Sequence, residues 1–260
     1  MQTFNGKTAL ITGASSGIGE QMARQLAAVG CNLILVARRT DRLDALAREL
    51  QSVQVDVITA DLADSHSPQA VFDQVLNLQR NVHVLINNAG FGFQQPMLNI
   101  PMVEQMGMVD VNVRSLLALT QLFAVPMAER GEGWILNVAS VSAWFPIPGM
   151  ATYAASKSFV LTLGRALHEE WKSAGITVTT LAPGGTRTEF SGKARDSLDP
   201  NLEKAMMPAD SVAAAGLRGL VRGKPVVVPG WHYKALAAVV RLLPMSTVVR
   251  LAGAVMGRHR

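Results

Sequence analysis

The sequence predicts an α/β fold: a doubly wound, seven-stranded parallel sheet with helices on both faces, in a single domain. Three observations carry this. Short runs that are apolar at every position alternate with stretches of helical periodicity along the 260 residues; strands covered on both faces read this way. The strands come singly, with helical sequence between most successive pairs, which the right-handed crossover rule converts to a parallel, doubly wound sheet. No internal repeat or low-complexity linker divides the chain.

The elements follow in order. The run T-A-L-I-T over 8–12 is a buried strand closed by Gly13. Helical periodicity over 18–29 stops at Gly30, a residue suited to a helix C-cap. N-L-I-L-V-A over 32–37 is the second strand. Leu43, Leu46, Ala47 and Leu50 share one face of a helix over 41–50. A third strand over 53–58 and a helix over 68–78 follow, then a fourth strand over 82–87. Residues 101–128 are mostly helical, 133–140 hold a strand, 152–174 a long helix and 176–181 a strand. A helix over 208–220 and a last strand over 225–228 complete the sheet.

Residues 1–230 form the catalytic unit in this reading. Residues 231–260 form an amphipathic, basic extension, with Pro244 ending one helix and a second starting near Met245. Lys234, Arg241, Arg250 and Arg258 sit among its apolar residues. Such a segment packs on its own domain or on a partner subunit, or touches an anionic membrane surface peripherally.

Bulk numbers bound the function. Hydrophobic residues make up 49%, enough for a large core, and charged residues only 17%, which points to subunit contacts. The formal charge is +5. Its basic residues are scattered until Arg250, Arg258 and Arg260, and aromatics are 5%, so nucleic acid is not an expected partner. The single cysteine, Cys31, allows no disulfide within the chain and fits a reducing, cytoplasmic setting. The N-terminus lacks the regions of a signal peptide, and no charge-free apolar run of about 18 residues occurs. The five histidines form no H-x-x-x-H pair, so no metal site is expected.

Between the first strand and first helix stands T-G-A-S-S-G-I-G, residues 12–19, carrying Gly13, Ser15, Ser16, Gly17, Ile18 and Gly19. Glycines there let backbone approach a pyrophosphate resting on the free N–H groups of the helix. Its spacing is T-G-x-x-x-G-x-G, not the standard G-x-G-x-x-G dinucleotide fingerprint. After the second strand, Arg38 and Arg39 stand where an NAD site places an acid, and no acid follows until Asp41. Guanidiniums suit a ribose 2′-phosphate, so the reading is NADP(H).

Tyr153 and Lys157 share one face of the long helix, one turn apart. Ser140 closes the fifth strand thirteen positions before Tyr153, and Asn112 lies upstream in D-V-N-V-R. A phenol of ordinary pKa about 10 is a poor proton donor near neutrality. An ammonium beside it, together with the positive nicotinamide ring of an oxidised cofactor, favours the phenolate and is expected to lower that value. Ser140 can donate to a carbonyl oxygen; it lacks the G-x-S-x-G elbow of a serine hydrolase.

With these motifs the chain, over about residues 7–228, resembles the short-chain dehydrogenases/reductases of NADP(H)-preferring type, and a Rossmann-type sheet is implied. The resemblance implies hydride transfer between the cofactor and a ketone or secondary alcohol, with Tyr153 as general acid/base and Asn112, Ser140 and Lys157 beside it. It implies that Lys157 holds ribose hydroxyls and that the Asn112 backbone carbonyl holds a relay water. Asp61 would accept from the adenine amino group, with Leu62 and Val111 near the same ring. N-N-A-G, with Asn88, Ala89 and Gly90, would leave room for the adenine ribose. Pro183, Gly184, Thr186 and Thr188 would hold the carboxamide. Homodimers or homotetramers are common among such proteins. The alternative is a non-catalytic dinucleotide-binding scaffold that uses its basic tail.

The loop 141–150, with Trp144, Phe145, Ile147 and Met150, and the segment F-G-F-Q-Q-P-M after N-N-A-G wall the expected pocket. Neither contains a lysine or arginine, so a hydrophobic carbonyl compound or alcohol is the expected substrate. The polar segment from about 189 to 208 is the expected lid.

Overall fold

The computed structural model describes residues 2–189 and 206–257. A seven-stranded parallel sheet runs through it in the order β3-β2-β1-β4-β5-β6-β9. Its strands are β1 (Thr8–Thr12), β2 (Asn32–Ala37), β3 (Val55–Thr59), β4 (Val84–Asn87), β5 (Gly133–Val138), β6 (Ile176–Leu181) and β9 (Val226–Val227). Two further short strands, β7 (Thr186–Arg187) and β8 (Met207–Pro208), pair with each other. The helices are α1 (Gly17–Ala27), α2 (Thr40–Glu49), α3 (Ser67–Asn77), α4 (Met102–Val109), α5 (Leu116–Arg130), α6 (Ala151–Glu170), α7 (Ala209–Val221), α8 (Trp231–Val240) and α9 (Met245–Gly257). Expected strands and helices agree with these to within a few residues. Residues 190–205 of the expected lid lie outside the described residues.

Strand pleating sorts the apolar runs onto two faces. Ala9 and Ile11 of β1 join Leu33, Leu35, Ile86 and Leu136 on the face covered by α1 and α7. Leu10, Ile34, Leu85 and Ile135 face the opposite way, toward Val71 of α3 and Phe123 of α5. Each fully buried Leu, Ile or Phe contributes about 1.5–3 kcal/mol, which is why these runs need no polar alternation.

One stretch of helix, 102–130, is long and apolar enough to cross a membrane among the described residues; half of its apolar window is buried. It packs on β4 and β5 and on α3, as the core helix of a parallel sheet does. The periodicity predicts a single mostly helical segment here. Instead a π-helical turn, Asp110–Ser115, separates α4 from α5. Such turns insert a residue into the α-helical register and recur at functional sites.

The order of strands reverses between β1 and β4, which opens a crevice at their carboxyl ends. Every residue discussed next lies around it.

Candidate active site

Thr12 ends β1 and its hydroxyl organises the crevice. It donates to the Ile86 carbonyl and accepts from the backbone N–H groups of Asn88 and Ala89, both at 3.0 Å. The Asn88 amide donates to the carbonyls of Thr12 and Gly13. Gly13, at φ +65°, and Gly19 sit so close to Asn88 and Ala89 that a side chain at either would collide. These two glycines and Asn88 therefore clamp the turn to β4. Gly17, at φ +61°, is the glycine whose missing side chain faces Thr188 across the crevice, 3.0 Å from its methyl.

Helix α1 begins at Gly17, and Ser16 makes no side-chain cap to its first turn. Those N–H groups are a ready anion site. Ser16 is engaged elsewhere: Arg39 donates to the Ser16 hydroxyl at 2.8 Å and to the Ser15 hydroxyl at 3.0 Å. Arg39 also pairs with Glu189 at 2.7 Å, and Arg42, which the sequence reading missed, holds the other oxygen of the same carboxylate. The two neighbouring arginines differ: Arg38 points into solvent, 3.9 Å from Asp61, while Arg39 lies over the turn. The Asp61 carboxylate accepts from the Ala63 N–H. Leu62 and Val111 are buried in one apolar cluster, and the Ser115 hydroxyl of the π-turn donates to the Leu62 carbonyl.

Across the crevice, α6 presents Tyr153 and Lys157, both buried. Ser140 follows β5, where it caps the short 3₁₀ turn Val141–Trp144; its hydroxyl accepts from the Ser142 N–H at 3.1 Å and bonds the Tyr153 phenol. Lys157 Nζ donates to the Val138 carbonyl at 2.9 Å and lies 5.8 Å from the centre of the Tyr153 ring. Asn112, in the π-turn, spends its side chain on both backbone groups of Phe91 and on the Ser156 hydroxyl. That locks the segment after β4 to α6. Gly90 admits Asn112 and Lys157 together, and Gly92 lets the chain pass against the Tyr153 ring. Four expected catalytic residues from three separate segments thus meet around one point.

In the protein alone, burial sets both acidities. Burial pushes the Tyr153 phenol up to about 12, with the Ser140 hydrogen bond acting against it. Burial also lowers the Lys157 ammonium to about 8. Desolvation of two groups beneath the surface outweighs their mutual effect. A phenol of pKa about 12 stays protonated at neutrality but is a weaker acid than a free phenol, so the buried side chain by itself is a reluctant donor.

After β6, Pro183 accepts from the Val141 N–H through its carbonyl, and the Thr186 hydroxyl donates to the Gly184 carbonyl. The Tyr233 ring of α8 fills the space beside Gly184 so tightly that a side chain there would strike it. Nothing in the periodicity of the tail marks that contact. Beside Tyr153 a cleft opens, lined by Phe93, Ile100, Gln105, Met108 and Met150 among others. Of the expected wall residues, Phe93, Gln95, Met97 and Met150 reach it, whereas Trp144 packs on Arg165 and into an apolar cluster with Ala143 and Val160.

The chain is similar to known proteins. The short chain dehydrogenase family matches residues 7–199. A very-long-chain 3-oxoacyl-CoA reductase from Anas platyrhynchos is 32% identical over 256 residues, 95% of this chain and 78% of that protein. A short-chain dehydrogenase from Sphingobium yanoikuyae, solved in complex with NADPH, is 35% identical with a TM-score of 0.81, covering 90% of this chain and 93% of that one. A bulky-bulky ketone specific alcohol dehydrogenase from Comamonas testosteroni is 34% identical with a TM-score of 0.77, covering 87% of each chain. Fold, motif spacing and relatives agree, and the chain belongs to the short chain dehydrogenase family of oxidoreductases.

Proposed function

We propose that this protein is an NADP(H)-dependent reductase of hydrophobic ketones, or in reverse a dehydrogenase of the matching secondary alcohols. The observation that carries the cofactor reading is the Arg39 guanidinium held over Ser15 and Ser16 at the head of α1, with no acid at the end of β2. A 2′-phosphate placed there meets a charge-assisted, bidentate partner. The relative solved with NADPH supports it. The cleft supports the substrate class, because among the described residues no lysine or arginine lines it and Phe93, Ile100, Met108 and Met150 do. A similar protein is a bulky-bulky ketone specific alcohol dehydrogenase.

A nicotinamide cofactor supplies or takes the hydride at the carbonyl carbon when bound. The chain's own residues manage the oxygen. Ser140 donates to it, and Tyr153 gives it the proton that completes the alcohol. Lys157, buried and without a carboxylate beside it, fixes the electrostatics of the phenol and carries a proton in and out.

Replacing Arg39 by Ala is expected to raise the Kd for NADPH about ten- to a hundredfold and leave that for NADH within about twofold. Replacing Glu189 by Gln frees both arginines and is expected to tighten NADPH alone. Calorimetric titration of both cofactors checks this; equal effects on the two would remove the cofactor assignment.

The tail supports an anionic lipid surface as partner. No acid occurs from residue 211 to 260, against eight lysines and arginines. On α8 the face turned away from the protein is apolar: Trp231 and Leu242 are 81% and 84% exposed, on one stripe with Ala235 and Ala238. Lys234 and Arg241 flank it, in position to reach headgroups while the stripe enters the interface. Co-sedimentation with phosphatidylglycerol vesicles is expected to be salt-sensitive and lost in a Trp231→Ser/Leu242→Ser variant. Protein that stays in the supernatant with anionic vesicles at low salt would contradict it.

A further inference from the structure

The cleft beside Tyr153 contains one feature that its apolar character does not explain. Gln105, on the second turn of α4, is only 5% exposed, and both its amide oxygen and its amide nitrogen are buried without a hydrogen-bond partner. Among the described residues it is the only side chain with both polar atoms in that condition. The other buried amides are at least half engaged: Asn87 donates to Thr120 and Asn137 although its own oxygen and the Asn137 nitrogen lack partners, and Asn112 bonds through both atoms to Phe91 and Ser156. An unpaired buried amide opposes folding by about 1–3 kcal/mol, and a leucine or methionine of similar volume would avoid that. The side chain nevertheless lines the same cleft as the Tyr153 ring, between Ile100 and Met108.

We infer that Gln105 is a specificity-determining residue, which binds a second, uncharged polar group of the substrate away from the reacting carbonyl. The inference rests on the carbonyl-reductase reading of the cleft and deepens it. The chemistry of the amide narrows the partner. It offers one acceptor and two donors, so a group with both donor and acceptor character satisfies it: a hydroxyl or a carboxamide. Among the described residues no cation lines the cleft to neutralise a carboxylate or sulfonate, so an uncharged group fits it better. A bare hydrocarbon leaves the amide unpaired after water has been expelled, which is the arrangement that polar sites reject most strongly. The substrate class is therefore a largely apolar ketone carrying a hydroxyl or amide, with its hydrocarbon part against Phe93, Met108 and Met150.

The test compares ketone pairs that differ only by hydroxyl against methyl, with the substituent placed at several distances along the chain from the carbonyl. Binding is measured by calorimetry on protein loaded with NADP⁺, which cannot reduce a ketone, so the readout does not depend on turnover. For at least one spacing the hydroxyketone is expected to bind about ten- to a hundredfold tighter than its methyl partner. Gln105→Leu is expected to erase that ratio, while binding of the methyl partner is unchanged or tighter and the melting temperature does not fall. Gln105→Met serves as the second variant, since it keeps the volume and length. A wild-type protein with no preference at any spacing, or a preference that survives in both variants, would overturn the inference. NADPH oxidation with the same compounds is followed separately. Preference in binding without any oxidation would refute the reductase reading and leave the role of Gln105 standing.

Discussion

Tyr153→Phe removes one oxygen atom, and ketone reduction is expected to fall about 10²–10⁴-fold with the Kd for NADPH within a few-fold of wild type. The reason is local. The phenol is buried, bonded to Ser140 and pushed up to about 12, so it is the group that holds a proton where the carbonyl oxygen must receive one. The ring itself is retained, and with it the contact against Gly92 that shapes the crevice. Single-turnover absorbance separates the two steps, since binding and hydride transfer change the nicotinamide signal differently. A variant that reduces ketones at the wild-type rate removes Tyr153 from the proton transfer.

Lys157→Met is expected to do the opposite things to activity and to stability. Turnover should be lost, yet the melting temperature should rise by several degrees. Burial brings the folded-state ammonium from 10.5 down to about 8, a difference that opposes folding by roughly 3 kcal/mol at neutral pH. Losing the bond to the Val138 carbonyl offsets about 1 kcal/mol of the gain. The sign with pH is fixed by the same shift. Between about 8 and 10.5 the unfolded chain keeps a proton that the folded one has released, so wild-type stability rises with pH across that window. The variant lacks that rise. Above pH 10 the raised Tyr153 works the other way, because the unfolded phenol ionises first, so the comparison belongs between pH 8 and 10. Thermal melts of both proteins across this range check it; parallel curves would mean that Lys157 is not a buried cation.

Much of this was legible in the sequence because burial on both faces leaves a blunt signature. Strands such as N-L-I-L-V-A are apolar at every position after the first, and β2 and β6 lie where expected. Ser140, Tyr153 and Lys157 were legible as a set through the resemblance to the short-chain dehydrogenases/reductases, whose order and spacing they match. What the sequence concealed are choices made in three dimensions. It did not separate Arg38 from Arg39, because the direction each takes depends on how the chain leaves β2. It did not show the π-turn at Asn112, since one residue of slip barely alters apolar periodicity over a long helix. It predicted a lowered phenol pKa from the ammonium and an oxidised nicotinamide ring acting together, and it did not show that in the protein alone the Lys157 head group turns toward Val138 and burial dominates. Gln105 looked like any polar position of a surface helix, and only its burial beside Tyr153 marks it.

The central claim is that NADPH bound on the Arg39 side of the crevice reduces an apolar ketone on the Tyr153 side. One measurement addresses it directly: the nicotinamide absorbance band, followed with NADPH and with NADH in parallel, against a panel of apolar ketones. The account predicts loss of NADPH absorbance matched mole for mole by alcohol, and a much slower loss with NADH. Tight NADPH binding without oxidation by any ketone of the panel would contradict it.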